Sequence, residues 1–187
     1  MTNFVSRDIL ENAIGNIQQS PAAQGTIEMI VCRPGIGERT VLEQAELCID
    51  QGLVGDNWQS RWNEKTKSKD RYLAMQINLM NARTIDTIVN GEKALWPLAG
   101  DQFFVDFDLS EDNLPAGTQL QIGTAVIEVT AEPHLGCKKF MERFGKDAVM
   151  FVNSDVGKSI NLRGINAKVI SPGVVTQGGV ISKLAPS

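Results

Sequence analysis

The chain has 187 residues, 42% of them hydrophobic and 21% charged, and its 18 Lys and Arg against 22 Asp and Glu give a net charge of −4. That is enough chain for one domain with a full core, and the acidic balance argues against nucleic acid as the main partner. No apolar run approaches the length of a membrane span, residues 1–8 lack the basic and apolar regions of a secretory leader, and the odd, irregularly spaced Cys32, Cys48 and Cys137 fit neither a disulfide framework nor a paired-cysteine zinc site. The simplest setting for such a chain is a reducing cytoplasm.

Residues 7–19 carry Ile9 or Leu10, Ile14 and Ile17 at near-helical spacing ahead of Pro21. They predict an N-terminal helix in an extension over 1–24, docked on the body rather than part of its core. A single domain over 25–187 follows. Residues 26–32 are rich in β-formers, Arg33-Pro34-Gly35-Ile36-Gly37 is a turn by composition, and 38–49 is extended or mixed. After Gly52-Leu53-Val54-Gly55-Asp56 comes a polar stretch, 57–70, with Trp58 and Trp62 embedded. It is long for a connection and has the character of a lid. Residues 72–77 predict a strand and 78–89 a helix capped by Asn78 and stopped at Gly91. Beyond it lie short predicted strands at 102–109, 119–122, 125–130, 164–171 and 178–183. A short helix is expected at 138–144, continuing irregularly over 147–153. Many short strands punctuated by Gly and Pro indicate a mixed, β-rich barrel with a few peripheral helices.

The chemistry concentrates in Glu132-Pro133-His134-Leu135-Gly136-Cys137-Lys138-Lys139-Phe140, at a strand-to-helix passage. Cys137 has the only histidine of the chain three residues before it and two lysines directly after it. Thiolate is the form that attacks or binds soft metals, and nearby cations favour it. A free cysteine can equally be a small buried hydrophobe, which is the reading for Cys32 and Cys48 in their apolar runs. His134 can hold a proton beside the thiol or sit on the surface without a role. Arg163-Gly164 can present a planar fork to an oxyanion or be an ordinary surface pair. Gly55-Asp56 and Gly100-Asp101 are turns first, and Asp56 can alternatively orient an arginine or accept a hydrogen bond from a ligand. No phosphate loop, zinc-protease or serine-hydrolase motif is present.

Together these segments resemble the MOSC family, named for the C-terminal domain of molybdenum cofactor sulfurase. The resemblance covers most of 25–182. It is carried by Gly52-Leu53-Val54-Gly55-Asp56, by Asn113-Leu114-Pro115-Ala116-Gly117-Thr118 with the hairpin after it, by Pro133-His134-Leu135-Gly136-Cys137-Lys138-Lys139-Phe140, by Arg143-Phe144-Gly145 and by Leu162-Arg163-Gly164-Ile165-Asn166. It implies a MOSC-type β-barrel in which Cys137 carries a persulfide or ligates molybdenum. It implies further that Arg163, Lys139, Lys138, Asn113, Asp56 and Arg83 hold the molybdenum cofactor, with His134 beside the cysteine. The chain departs from the family at Asn57-Trp58-Gln59 and at Gly178-Gly179.

Three functions are compatible with this. One is molybdenum-dependent reduction of N-hydroxylated compounds. Another is sulfur transfer through a Cys137 persulfide, and the third is a binding module without chemistry. With no aminotransferase-like segment, no covalently bound pyridoxal phosphate is expected. A small-molecule substrate or cofactor and a sulfur-donor or electron-donor protein are the expected partners, with neither nucleic acid nor membrane.

Overall fold

The computed structural model describes residues 4–61 and 69–185. These form α1 (Arg7–Asn12), α2 (Ile14–Ile17), β1 (Gln24–Cys32), β2 (Thr40–Leu42), β3 (Gln44–Cys48), β4 (Gly52–Leu53), α3 (Lys69–Leu73), β5 (Ile77–Asn81), α4 (Ala82–Ile88), β6 (Phe103–Asp106), β7 (Gln119–Ile122), β8 (Ala125–Val129), α5 (Lys138–Val152), α6 (Asp155–Ser159), β9 (Ile165–Ser171), β10 (Gly173–Thr176) and β11 (Val180–Lys183), with 3₁₀ turns at Gln59–Arg61 and Lys93–Ala99.

Seven strands close into a barrel in the order β1–β11–β7–β8–β9–β5–β6, with β6 returning to β1. The expected β-rich barrel with peripheral helices is therefore the fold. β2 hangs on β1, and a separate sheet, β10–β3–β4, adds Ala45, Leu47, Leu53 and Val175 to the barrel core. A ring of seven cannot alternate direction all the way round, so at least one neighbouring pair must run parallel. That pair is β5 and β6; the other six pairings are antiparallel. A parallel pair needs a long crossover. Here it is α4 and the 3₁₀ turn, which deliver Gly100 and Asp101 to the start of β6.

The core has two layers, visible in β6. Phe103 and Val105 face the barrel interior, while Phe104 joins Leu10, Met80, Trp96, Phe140 and Phe151 beneath the helices. Strand side chains alternate between faces, so a run apolar on both faces marks a strand covered on both. Each fully buried Phe or Leu of this kind contributes about 1.5–3 kcal/mol.

Several expectations change. The 7–19 segment is two short helices, and buried Leu10 and Ile17 make it part of the second core rather than a body docked outside it. Residues 72–77 are not a strand: α3 and a turn occupy most of them, and β5 begins only at Ile77. The helix starts at Ala82, because Asn81 is its N-cap, with the Asn81 side chain accepting from Thr84 N–H at 3.1 Å. Asn78 lies within β5 instead, where its amide joins Arg33 and Asn166. The segment after Cys137 keeps its expected form: α5 is two helical stretches that meet at a non-helical Gly145 (φ 89°, ψ 170°).

Candidate functional site

The loop from β8 to α5 presents His134 and Cys137. Gly136 presses it onto α5, where a Cβ would meet Val149 and Val152 at 2.9 Å. Asn153, the C-cap of α5, clamps it there: the Asn153 side chain accepts from Gly136 N–H at 2.8 Å and donates to the Gly136 carbonyl at 2.9 Å. Cys137 is thereby fixed as the exposed, extended N-cap residue of α5, and its side chain makes no cap bond.

Opposite it stands the crossover. A 3₁₀ turn ends with carbonyls that have no partner within the turn, and these attract cations. Four consecutive carbonyls each receive a different arginine. Pro97 accepts from Arg39 Nε at 3.2 Å, Leu98 from Arg143 Nη1 at 2.6 Å, Ala99 from Arg163 Nη2 at 3.1 Å and Gly100 from Arg33 Nη1 at 2.8 Å. The four arginines come from the β1–β2 turn, from α5 and from the loop before β9, so one stretch of main chain gathers charge from distant parts of the sequence.

Two of these arginines are locked by buried carboxylates. Arg33 is paired with Asp56 at 2.8 Å and Arg163 with Asp101 at 2.7 Å, both acid side chains fully buried. Asp56 thus serves as the arginine-orienting residue that the sequence allowed. Arg163 also lies 4.9 Å from the Phe140 ring centroid, in cation–π geometry.

The result is a cavity of about 390 Å³ lined by Cys137, His134, Lys139, Arg33, Arg39, Arg143 and Arg163, with Asn57, Asn78 and Gly100 among the remaining walls. Among the described residues five cationic side chains line it and no carboxylate does. In an acidic protein this is a local field of the opposite sign, suited to a small anion. Among the described residues no group of three or more His, Cys, Asp or Glu is placed to hold a metal ion.

Of the residues singled out in the sequence, Cys137, His134, Arg163 and Lys139 come together, with Asp56 behind Arg33. Lys138 points elsewhere, 4.0 Å from Glu142 and outside the cavity. Arg83 pairs with Asp106 at 2.8 Å beside α4, and Asn113 bonds the carbonyls of Ala22 and Asp108, so neither reaches the cavity. The lid expectation over 57–70, with Trp62, lies largely outside the described residues. The foot of that segment is packed: Trp58 is buried and stacks on Tyr72 with ring centroids 4.3 Å apart.

His134 separates this cavity from a second one of about 400 Å³, whose rim carries Glu111, Glu132 and Lys158 and which shares Arg163 as a wall. Burial, and then the Arg163 charge, push the His134 pKa down to about 3 against a weaker opposing pull from Asp101. The ring is neutral at pH 7. Gly164, at φ 110°, lets β9 approach β5 so closely that a Cβ would sit 2.1 Å from the Leu79 carbonyl and 3.3 Å from His134 Nδ1.

No family model matches the chain, and no curated protein matches it by sequence. Solved structures do. YuaD from Bacillus subtilis superposes with a TM-score of 0.63 at 14% identity, over 88% of this chain and 97% of that one. YiiM from Escherichia coli gives 0.53 at 18% identity, over 87% and 71%, and YiiM from Geobacillus stearothermophilus 0.50 at 15%, over 86% and 75%. The chain shares their fold. At these identities the likeness is one of architecture, and the site must be argued from its own residues.

Sequence reasoning missed Arg33, Arg39, Asp101 and Asn153. Arg33 stood in a turn read only by composition, and Asp101 in a Gly-Asp pair read as a turn. Asn153 carried no local signal, because its partner Gly136 lies a whole helix away.

Proposed function

We propose that this chain is a MOSC-type domain in which Cys137 engages a small anionic ligand bearing a molybdenum centre, for the reduction of N-hydroxylated compounds. The observation that carries this reading is the exposed thiol on a cavity that the described residues line with five cations and no carboxylate. The barrel shared with YuaD and YiiM is the fold that the family resemblance implies, which supports the assignment. The residues fit such a ligand. Lys139, Arg39 and Arg143 would meet a phosphate group, Arg33 and Arg163 would fix its approach from their buried pairs, and Cys137 would supply the thiolate. When bound, that group would supply the two-electron redox chemistry. The chain itself would position it, neutralise its charge, and hold the neutral His134 ring beside it.

Exposure of Cys137 favours a second reading, sulfur carriage as a persulfide, because a thiol reached from outside can hand sulfur to another protein. One preparation separates the two. Protein purified from a cofactor-producing host should contain close to one molybdenum per chain and reduce hydroxylaminopurines, both lost in Cys137→Ser. A metal-free preparation that stays inactive after reconstitution, yet gains one sulfur by intact mass with a cysteine desulfurase, assigns the carrier role instead. A mass gain that persists in Cys137→Ser refutes both.

A further inference from the structure

Three neighbouring residues at the cavity wall each carry a buried polar atom without a hydrogen-bond partner among the described residues: Asp101 Oδ1, His134 Nδ1 and Arg163 Nε. The first two face each other at 3.5 Å. Asp101 is completely buried, and its other oxygen is held by Arg163 at 2.7 Å, so the carboxylate cannot turn away. A carboxylate oxygen only accepts, and a ring nitrogen facing it is attracted only if it carries the proton; two lone pairs would repel. Since Nδ1 is the sealed nitrogen while the His134 side chain remains 16% exposed, the accessible nitrogen is Nε2.

The geometry points to Asp101 as the positioning residue that holds the proton of His134 on Nδ1, leaving Nε2 as an acceptor beside a cavity rich in cationic donors. The inference rests on reading that cavity as an anion site, and it deepens that reading by naming the class of anion. A ring of donors alone takes any oxyanion. A set of donors with a fixed imidazole acceptor among them favours an anion that carries a hydrogen: a hydrogenphosphate, or a ligand with its own N–H or O–H. A fully deprotonated oxyanion would set a lone pair against the Nε2 lone pair, and an unmet buried acceptor weakens binding far more than a lost contact does. Because the ring is neutral at working pH, it does not take up a proton to rescue the wrong ligand.

His134 is the only histidine in the chain, so its tautomer can be read without assignment ambiguity. Long-range ¹H–¹⁵N spectra of the metal-free protein at pH 7 should show a protonated Nδ1 and an unprotonated Nε2. Inorganic phosphate, which carries at least one proton there, should bind roughly tenfold or more tighter than sulfate, which carries none. Asp101→Asn can donate to Nδ1 and so moves the proton to Nε2; phosphate preference should then vanish or reverse, a change that a merely loosened site would not produce. His134→Gln, which keeps the fold free of the acid's substitution, should reduce the preference as well. An Nε2–H tautomer in the parent protein, or sulfate binding as tightly as phosphate, overturns the inference and leaves the anion site standing. Failure of both anions to shift any resonance of the lining residues overturns the anion site and the selectivity together.

Discussion

The buried pair of Arg33 and Asp56 is where the site and the stability of the barrel meet. The Asp56 carboxylate accepts from Arg33 N–H at 2.9 Å, from Arg33 Nε at 2.8 Å, from Arg33 Nη2 at 2.9 Å and from Trp58 N–H at 2.9 Å. Both side chains are almost sealed, at 4% and 0% exposure. Asp56→Ala removes the carboxylate that pairs with a buried guanidinium, which keeps its bonds to Asn78 and the Gly100 carbonyl but loses that counter-charge. Stranding one member of a buried pair costs about 3–5 kcal/mol. For a chain of this size that corresponds to a fall in Tm of roughly 6–20 °C. The assay is thermal and urea unfolding of the parent, of Asp56→Ala, and of Arg33→Met combined with Asp56→Leu. The double variant removes both charges and should lose less than the single one, because the cost lies in the unpaired charge rather than in the missing contact. A single-variant shift under about 2 °C, or a double variant worse than the single, refutes the reasoning.

Two further outcomes follow from the loop that carries the thiol. Asn153→Ala deletes two hydrogen bonds to Gly136 and should cost about 1–3 kcal/mol; it should also change the rate of Cys137 alkylation, with Asn153→Gln restoring neither, since the longer side chain cannot meet both groups. An unchanged alkylation profile would show that the clamp does not place the thiol. For His134 the folded pKa lies below the unfolded value of 6.5, at about 3. The unfolded chain therefore binds the extra proton between those values. The His134 contribution is constant above pH 6.5 and turns against folding as pH falls toward 3, by up to about 1.4 kcal/mol per pH unit. Unfolding free energies of the parent and of His134→Gln should diverge in that window and run parallel above it. Parallel curves throughout would contradict a buried neutral ring.

The barrel was legible in the sequence because its hairpins obey local rules: β7 and β8 fall where alternation and Gly123 put them. β5 was not. All five of its residues are buried, so Ile77-Asn78-Leu79-Met80-Asn81 shows no alternation, and two asparagines three residues apart offer the same capping signal. The choice between them is tertiary, since Arg33 and Asn166 claim Asn78 and leave Asn81 to the helix. The same holds at the site. The cysteine loop is local and readable, and Arg163-Gly164 is a recognisable pair. The remaining cations depend on contacts spanning tens of residues. Arg83 and Asn113, implied by the family resemblance, bond Asp106 and backbone carbonyls away from the cavity.

The ladder of arginines on residues 97–100 has a consequence for how this site can change. Carbonyl oxygens belong to every residue type, so exchanging the exposed Leu98 for another side chain leaves the rungs in place. The positive wall is written into the path of the main chain, with Gly100 at φ 93° as its one conformational requirement. The arginines thus stay registered by a template that exchange of the exposed Leu98 side chain does not touch, while buried Trp96, Pro97 and Ala99 hold its path.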